Sequence, residues 1–248
     1  MELDRNRRVS NESIFILHQR PFSETSLLIE GFSRNYGRVV LMAKGVKKRK
    51  SRLRGMLLPF QRVTASWSGK GEIKTMINAD MGGCRKSLAG EKLFCGYYLN
   101  ELILLTLQKG DPHEKLFDCY AHTVNKLSED SDIEKTLRIF EKNLLQEIGY
   151  GLNLTHDVAS GAPIDPNVTY LYIWGSGAIP RESSTDSGAV IQGGSLLALH
   201  EETIFSELHR RELKQLTRGV IDYQLGGKPI KSRRMYSYLF SNLENLHN

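Results

Sequence analysis

In the first eighty residues, apolar positions come in short runs without a helical period. Ser13–His18 and Thr25–Phe32 are rich in Ile, Leu and Phe, and Asn35-Tyr36-Gly37 behind them has the composition of a turn. Arg38–Ala43, Pro59–Ser68 and Glu72–Ala79 supply three more runs of strand character. Gly69-Lys70-Gly71, between the last two, predicts a tight hairpin. Five short strands in succession predict a small closed barrel, with the five-stranded oligonucleotide/oligosaccharide-binding (OB) barrel as the leading candidate.

The pattern changes after Gly82-Gly83. Glu91–Gln108 carries Phe94, Tyr97, Tyr98, Glu101, Leu102 and Leu105 at helical spacing, and Pro112–Ser128 reads as a second helix with Pro112 in its first turn. Ser131-Asp132-Ile133-Glu134 resembles a capping box and opens a third helix, on which Ile133, Leu137, Phe140, Leu144, Leu145 and Ile148 recur every three or four residues. Residues 150–200 are rich in Gly, Pro and Ser and read as a loop-rich insert with a weak hairpin at Thr169–Trp174. Two further helices are expected, at Glu201–Tyr223 (with a possible break) and Ser232–Leu243, joined by a turn at Leu225-Gly226-Gly227-Lys228-Pro229. The expected class is α+β, with a barrel domain at residues 1–80 and a helical domain at residues 81–248 that carries the insert.

Of the 248 residues, 40% are hydrophobic and 25% charged, which is ordinary globular composition. No apolar run approaches the length needed to span a bilayer. The first residues show no apolar core of a secretory signal. Three cysteines, Cys84, Cys95 and Cys119, form neither a disulfide framework nor a zinc-ligand spacing. A cytoplasmic chain without metal or cofactor is expected. Charge is unevenly placed. Residues 1–80 hold 16 Lys/Arg against 7 Asp/Glu, residues 81–207 hold 10 against 18, and residues 208–248 hold 8 against 3. A basic head on a barrel points to an anionic partner, although the same excess also aids solubility.

The excess is concentrated. Seven of the eleven residues 44–54 are cationic (Lys44, Lys47, Lys48, Arg49, Lys50, Arg52 and Arg54) and none is acidic. A flexible loop of this kind between the third and fourth strands can follow a phosphate backbone, with affinity from counterion release. The plainer reading is a solvated loop. Arg38, Lys70 and Lys74 extend the patch, and Tyr36, Phe60 and Trp67 are candidate stacking aromatics, although each taken singly is expected in the core rather than on a platform, since alternation turns about half of strand residues inward. Catalytic signals are weak. Gly226-Gly227-Lys228-Pro229 matches only the tail of a phosphate-binding loop, with Pro in place of the hydroxyl residue, and the seven His are scattered. Glu101, on an otherwise apolar helix, is expected to pair with an arginine such as Arg138. Arg210, Arg211, Lys214 and Arg218, then Lys228, Lys231, Arg233 and Arg234, form a second basic set, readable as a solvated face, a second DNA contact or a groove for an acidic peptide. An RNA-binding OB module and an unrecognised hydrolase or nuclease stay open as rival classes.

Ordered pieces along the chain resemble the bacterial RecO family of recombination mediators. They include Phe15-Ile16-Leu17-His18, Pro21-Phe22-Ser23-Glu24-Thr25-Ser26-Leu27, Tyr36-Gly37-Arg38-Val39 and Ala43-Lys44-Gly45. Arg52-Leu53-Arg54-Gly55, Leu58-Pro59-Phe60, Gly71-Glu72-Ile73-Lys74-Thr75, Tyr98-Leu99-Asn100-Glu101-Leu102, Leu137-Arg138-Ile139-Phe140-Glu141 and Leu225-Gly226-Gly227-Lys228-Pro229 continue the resemblance to about residue 240. It implies an OB fold followed by a helical domain. It also implies binding of single- and double-stranded DNA, strand annealing, partnership with RecR, recognition of the acidic tail of single-strand-binding protein (SSB) and, indirectly, loading of RecA, all at the nucleoid. The implied tail site lies in the helical domain, where Arg138 and the helix-face set Arg211, Lys214 and Arg218 are the candidate cations. One branch of the family has a four-cysteine zinc module after the third helix. Residues 120–248 of this chain contain no Cys, so a zinc-less looped remnant is expected.

Overall fold

Ile14-Phe15-Ile16-Leu17 is buried at every position, so the first strand must be covered on both faces. The computed structural model, which describes residues 8–83, 87–129, 132–181, 188–203 and 205–244 with side chains through 239, shows how. Strands β1 (Arg8–Pro21), β2 (Leu27–Ser33), β3 (Gly37–Ala43), β4 (Arg62–Ser68) and β5 (Ile73–Met81) form a closed barrel in the order β1-β2-β3-β5-β4, with β4 paired back to β1. Every pairing is antiparallel except β3 with β5. This is the OB topology. Ile14 and Ile16 point inward to meet Ile29, Leu41, Val63 and Trp67. Phe15 and Phe32 point outward against Phe117 and Tyr120.

Those two aromatics belong to α2 (Glu114–Ser128), which together with α1 (Gly90–Thr106) and α6 (Lys231–Glu244) groups with the barrel into one unit of residues 1–128 and 230–248. The grouping by contact therefore does not follow the composition change near residue 81. The β1–β2 register shifts between Ile16 and His18, and the Leu17 carbonyl there accepts from Asn100 Nδ2 at 2.7 Å. Asn100 Oδ1 in turn accepts from the Tyr120 hydroxyl at 2.5 Å, and burial holds that phenol far above its ordinary pKa. The chain passes Gly37 with φ of 62°, where a Cβ would lie 1.9 Å from the Asp111 carbonyl oxygen, so no side chain fits.

Glu101 does not pair with Arg138. Its two carboxylate oxygens accept from the backbone N–H groups of Lys231 and Ser232, at 2.8 and 2.7 Å. A helix start leaves its first N–H groups without intrahelical partners and carries partial positive charge. The carboxylate answers both needs and ties α6 to α1.

The second unit, residues 129–229, contains α3 (Ile133–Glu147), α4 (Gly193–Glu201), α5 (Glu207–Gln224) and a three-stranded antiparallel sheet. Its strands are β6 (Thr169–Ile173), β7 (Gly177–Pro180) and β8 (Gly188–Gln192), in the order β7-β6-β8. This corrects the expectation of a looped remnant. Strands of four or five residues between glycines show almost no alternation in sequence, yet tertiary cover stabilises them. The rims are tied by hydroxyls: Tyr170 accepts from the Asp165 N–H and Tyr172 from the Asn153 N–H, with burial pushing the Tyr172 phenol up to about 12. Of the late helix expected at Glu201–Tyr223, α5 accounts for Glu207 onward, whereas α4 (Gly193–Glu201) lies almost entirely in the span expected as loop-rich insert. The α3 cap is Asp132, whose side chain accepts from the Lys135 N–H, rather than Ser131; Ser131, like Cys84, lies outside the described residues.

Candidate nucleic-acid interface

The seven-cation run leaves the barrel at the end of β3 and returns at β4. It is not the flexible loop its composition suggests. Val46 and Leu57 are fully buried and Leu53 is partly buried, all against the barrel core. Short-range backbone bonds fold the segment between these anchors: Lys48 N–H to Gly45 O, Ser51 N–H to Lys48 O, and Met56 N–H to Leu53 O across a 3-10 turn at Arg52–Gly55. The apolar residues every few positions are the signal that the charge run hides.

Pinned in this way, the loop projects its cations. Lys44, Lys48, Arg49, Lys50, Arg52 and Arg54 are exposed, and Lys47 is half-buried. Lys44, Lys48, Arg49, Lys50 and Arg54 make no ion pair among the described residues. Arg52 reaches Asp80 only at 3.9 Å, with both side chains mostly solvent-exposed. Lys47 has a different role: its ammonium donates to the Ser23 carbonyl at 2.7 Å and its N–H to the Thr25 carbonyl at 3.0 Å, fastening the loop to the β1–β2 turn. Lys70 is exposed on the β4–β5 hairpin, and Lys74 is half-buried with its ammonium 3.3 Å from the Gly71 carbonyl.

Arg38 departs from its expected place in the patch. Its guanidinium donates to the carbonyls of Leu104 and Leu107, at 2.6 and 2.8 Å, and lies 3.4 Å from Glu30. It closes the C-terminal end of α1 against β3, where free carbonyls favour a cation. The three nominated aromatics are also occupied. Trp67 is 1% and Phe60 4% exposed, and Tyr36 packs edge-on against Trp67.

In the second unit, Arg138 is buried. It donates to Glu141 at 2.8 Å and to the Thr217 hydroxyl at 3.1 Å, and Thr217 donates to the other Glu141 oxygen. An arginine spent on a buried carboxylate cannot rim a surface notch, because removing it would leave Glu141 charged and buried. Lys214 pairs with Glu134 at 2.9 Å, Arg211 is exposed, and Arg218 is half-buried. Arg210 makes a two-pronged contact with Asp132, at 2.5 and 2.6 Å, which holds that carboxyl below the usual range. Among the described residues, no three His, Cys, Asp or Glu side chains come together as a metal site, and no helix is long and apolar enough to cross a membrane.

Comparison with known proteins agrees with this architecture. The family model for the recombination protein O N terminal matches residues 9–83, and that for the recombination protein O C terminal matches residues 88–234. A DNA repair protein RecO from Nitrosospira multiformis is 40% identical over 236 residues, covering 95% of this chain and 97% of the relative. A RecO from Dechloromonas aromatica is also 40% identical, over 94% of this chain and 97% of its own length. One from Coxiella burnetii is 42% identical, over 92% of this chain and 98% of its own length. The OB topology, the two family models spanning both units and these full-length relatives agree: the chain belongs to the RecO family of DNA repair proteins.

Proposed function

We propose that the chain is a non-enzymatic DNA-binding recombination mediator whose phosphate contacts lie on the basic end of the barrel. The observation that carries this reading is the folded loop at residues 44–57, which holds five cations toward solvent without acidic partners. Like-charged side chains held together repel one another, and a polyanion relieves that repulsion as it releases its counterions. Lys70 on the neighbouring hairpin and the half-buried Lys74 extend the surface, while Arg38 and Lys47 serve mainly to fix the fold around it.

The family resemblance supports the finer roles: annealing of complementary strands, partnership with RecR, and RecA loading onto SSB-coated strands. For the acidic SSB tail it favours the second unit. There Arg211, Lys214 and Arg218 stay candidates, while Arg138 supports α5 from within through Thr217. The test is annealing of complementary DNA strands coated with SSB, with and without the protein, alongside RNA strands of the same sequence. Faster annealing of the DNA pair is expected. No acceleration, or a preference for RNA, overturns the reading.

A further inference from the structure

With every nominated aromatic buried or packed, the basic end of the barrel still presents one aromatic ring to solvent. Phe22 is 54% exposed, and it is the exposed aromatic among the described barrel residues. Its ring makes no aromatic contact there. It sits on the β1–β2 turn, between the paired residues Pro21 and Leu27. That turn is ordered: the Phe22 N–H donates to the Ser26 carbonyl at 3.1 Å, the Ser26 N–H reaches the Ser23 hydroxyl at 3.3 Å, and Ser26 itself is buried. The same turn receives both hydrogen bonds from Lys47, so the ring and the cationic loop are fastened side by side.

From this placement, and resting on the DNA-binding reading above, we infer that Phe22 is a stacking platform for an unpaired base of the bound strand. A phosphate backbone drawn to Lys48, Arg49 and Lys50 passes beside the β1–β2 turn. A single strand can turn a base outward onto a nearby ring, whereas duplex bases already have both faces covered by their neighbours. A ring carried on a hydrogen-bonded backbone turn brings less backbone freedom to be lost on binding than one on an unstructured loop. The cationic loop accounts for attraction to any phosphate chain. Phe22 would supply the preference for unpaired over paired DNA.

The test compares oligothymidylate with an abasic deoxyribose-phosphate oligomer of equal length. Phe22→Ala should weaken oligothymidylate binding roughly 5- to 150-fold, the range expected for one lost base–aromatic stack. Its affinity for the abasic oligomer and its salt dependence should match the parent protein. Phe22→Trp should restore affinity, and its emission should be quenched by oligothymidylate but not by the abasic oligomer. Parent-like oligothymidylate affinity in Phe22→Ala, or an equal loss on both oligomers, overturns the stacking role. If the loop variant Lys48→Ala/Arg49→Ala/Lys50→Ala still loses salt dependence, DNA binding through the loop survives that failure. If the parent protein binds neither oligomer, both readings fall.

Discussion

Neutralising Lys48, Arg49 and Lys50 together tests the charge argument with least damage to the fold. All three are exposed and make no ion pair among the described residues, so the barrel loses no internal bond. Lys47 is left in place because its ammonium and N–H fasten the loop to the Ser23–Thr25 turn. For a single strand, each phosphate contact steepens the slope of log K against log salt by about 0.7, so three contacts predict a slope flatter by about 2. Because that contribution vanishes near 1 M salt, the loss should be about 2 decades of affinity at 0.1 M and about 1 decade at 0.3 M. The assay is fluorescence anisotropy of a labelled single-stranded oligonucleotide at four or more salt concentrations, with circular dichroism to show an unchanged fold. Two sequences of different composition should lose affinity alike. Parallel salt slopes for variant and parent would refute the assignment of phosphate contacts to this loop, whatever the absolute affinities.

Four further outcomes can be measured. Glu101→Ala should destabilise the first unit by about 0.5–2 kcal/mol, the usual loss for a removed helix cap, and Glu101→Gln by less since its oxygen still accepts; urea titration of the pair checks this. Arg138→Met should cost about 3–5 kcal/mol because Glu141 would stay buried without its cation, whereas Thr217→Val, which removes one hydrogen-bonding hydroxyl, should cost about 1–3 kcal/mol. Asp132 has its pKa lowered chiefly by the hydrogen bond from Arg210, so its contribution is present above the unfolded carboxyl value of about 3.9 and is lost as pH falls through the lower folded value; Asp132→Asn keeps a capping side chain, and its acid-unfolding curve should lack that part of the pH dependence. Metal analysis of purified protein should give far below one zinc per chain, and a stoichiometric, chelation-resistant zinc would overturn that expectation.

The barrel was readable from sequence because its code is local. Ile14, Ile16, Ile29 and Leu41 fall into strands bounded by turn residues, and Gly37 sits where only glycine clears Asp111. The Arg138 partner was not readable. Glu101 lies on a mostly apolar helix and Glu141 on an amphipathic one, and nothing in their spacing separates a carboxylate that caps α6, 130 residues away in sequence, from one that pairs three residues along α3. The sheet at 169–192 shows in the sequence only as a weak hairpin at Thr169–Trp174, for another reason. Its strands are four or five residues long, with Val190 exposed between buried Ala189 and Ile191, too short a pattern to stand out among glycines.

The proposed binding surface divides along the same line. Net charge announces itself in any one-dimensional reading, and the run at 44–54 did so. What charge cannot tell is which cations are already committed, and that depends on contacts distant in sequence. Arg38 meets the end of α1, Lys47 meets the β1–β2 turn, and the remainder face water. Aromatics behave in the opposite way. A closed five-stranded barrel fills its interior with side chains, and here Trp67 is one of those taken up by the core. Outward strand rings such as Phe15 and Phe32 are covered by α2, so among the described barrel residues the ring left exposed is on a turn, where no alternation pattern marks it. Phe22 is so placed, and its exposure beside the cations becomes visible only once Lys47 is seen to join the two loops.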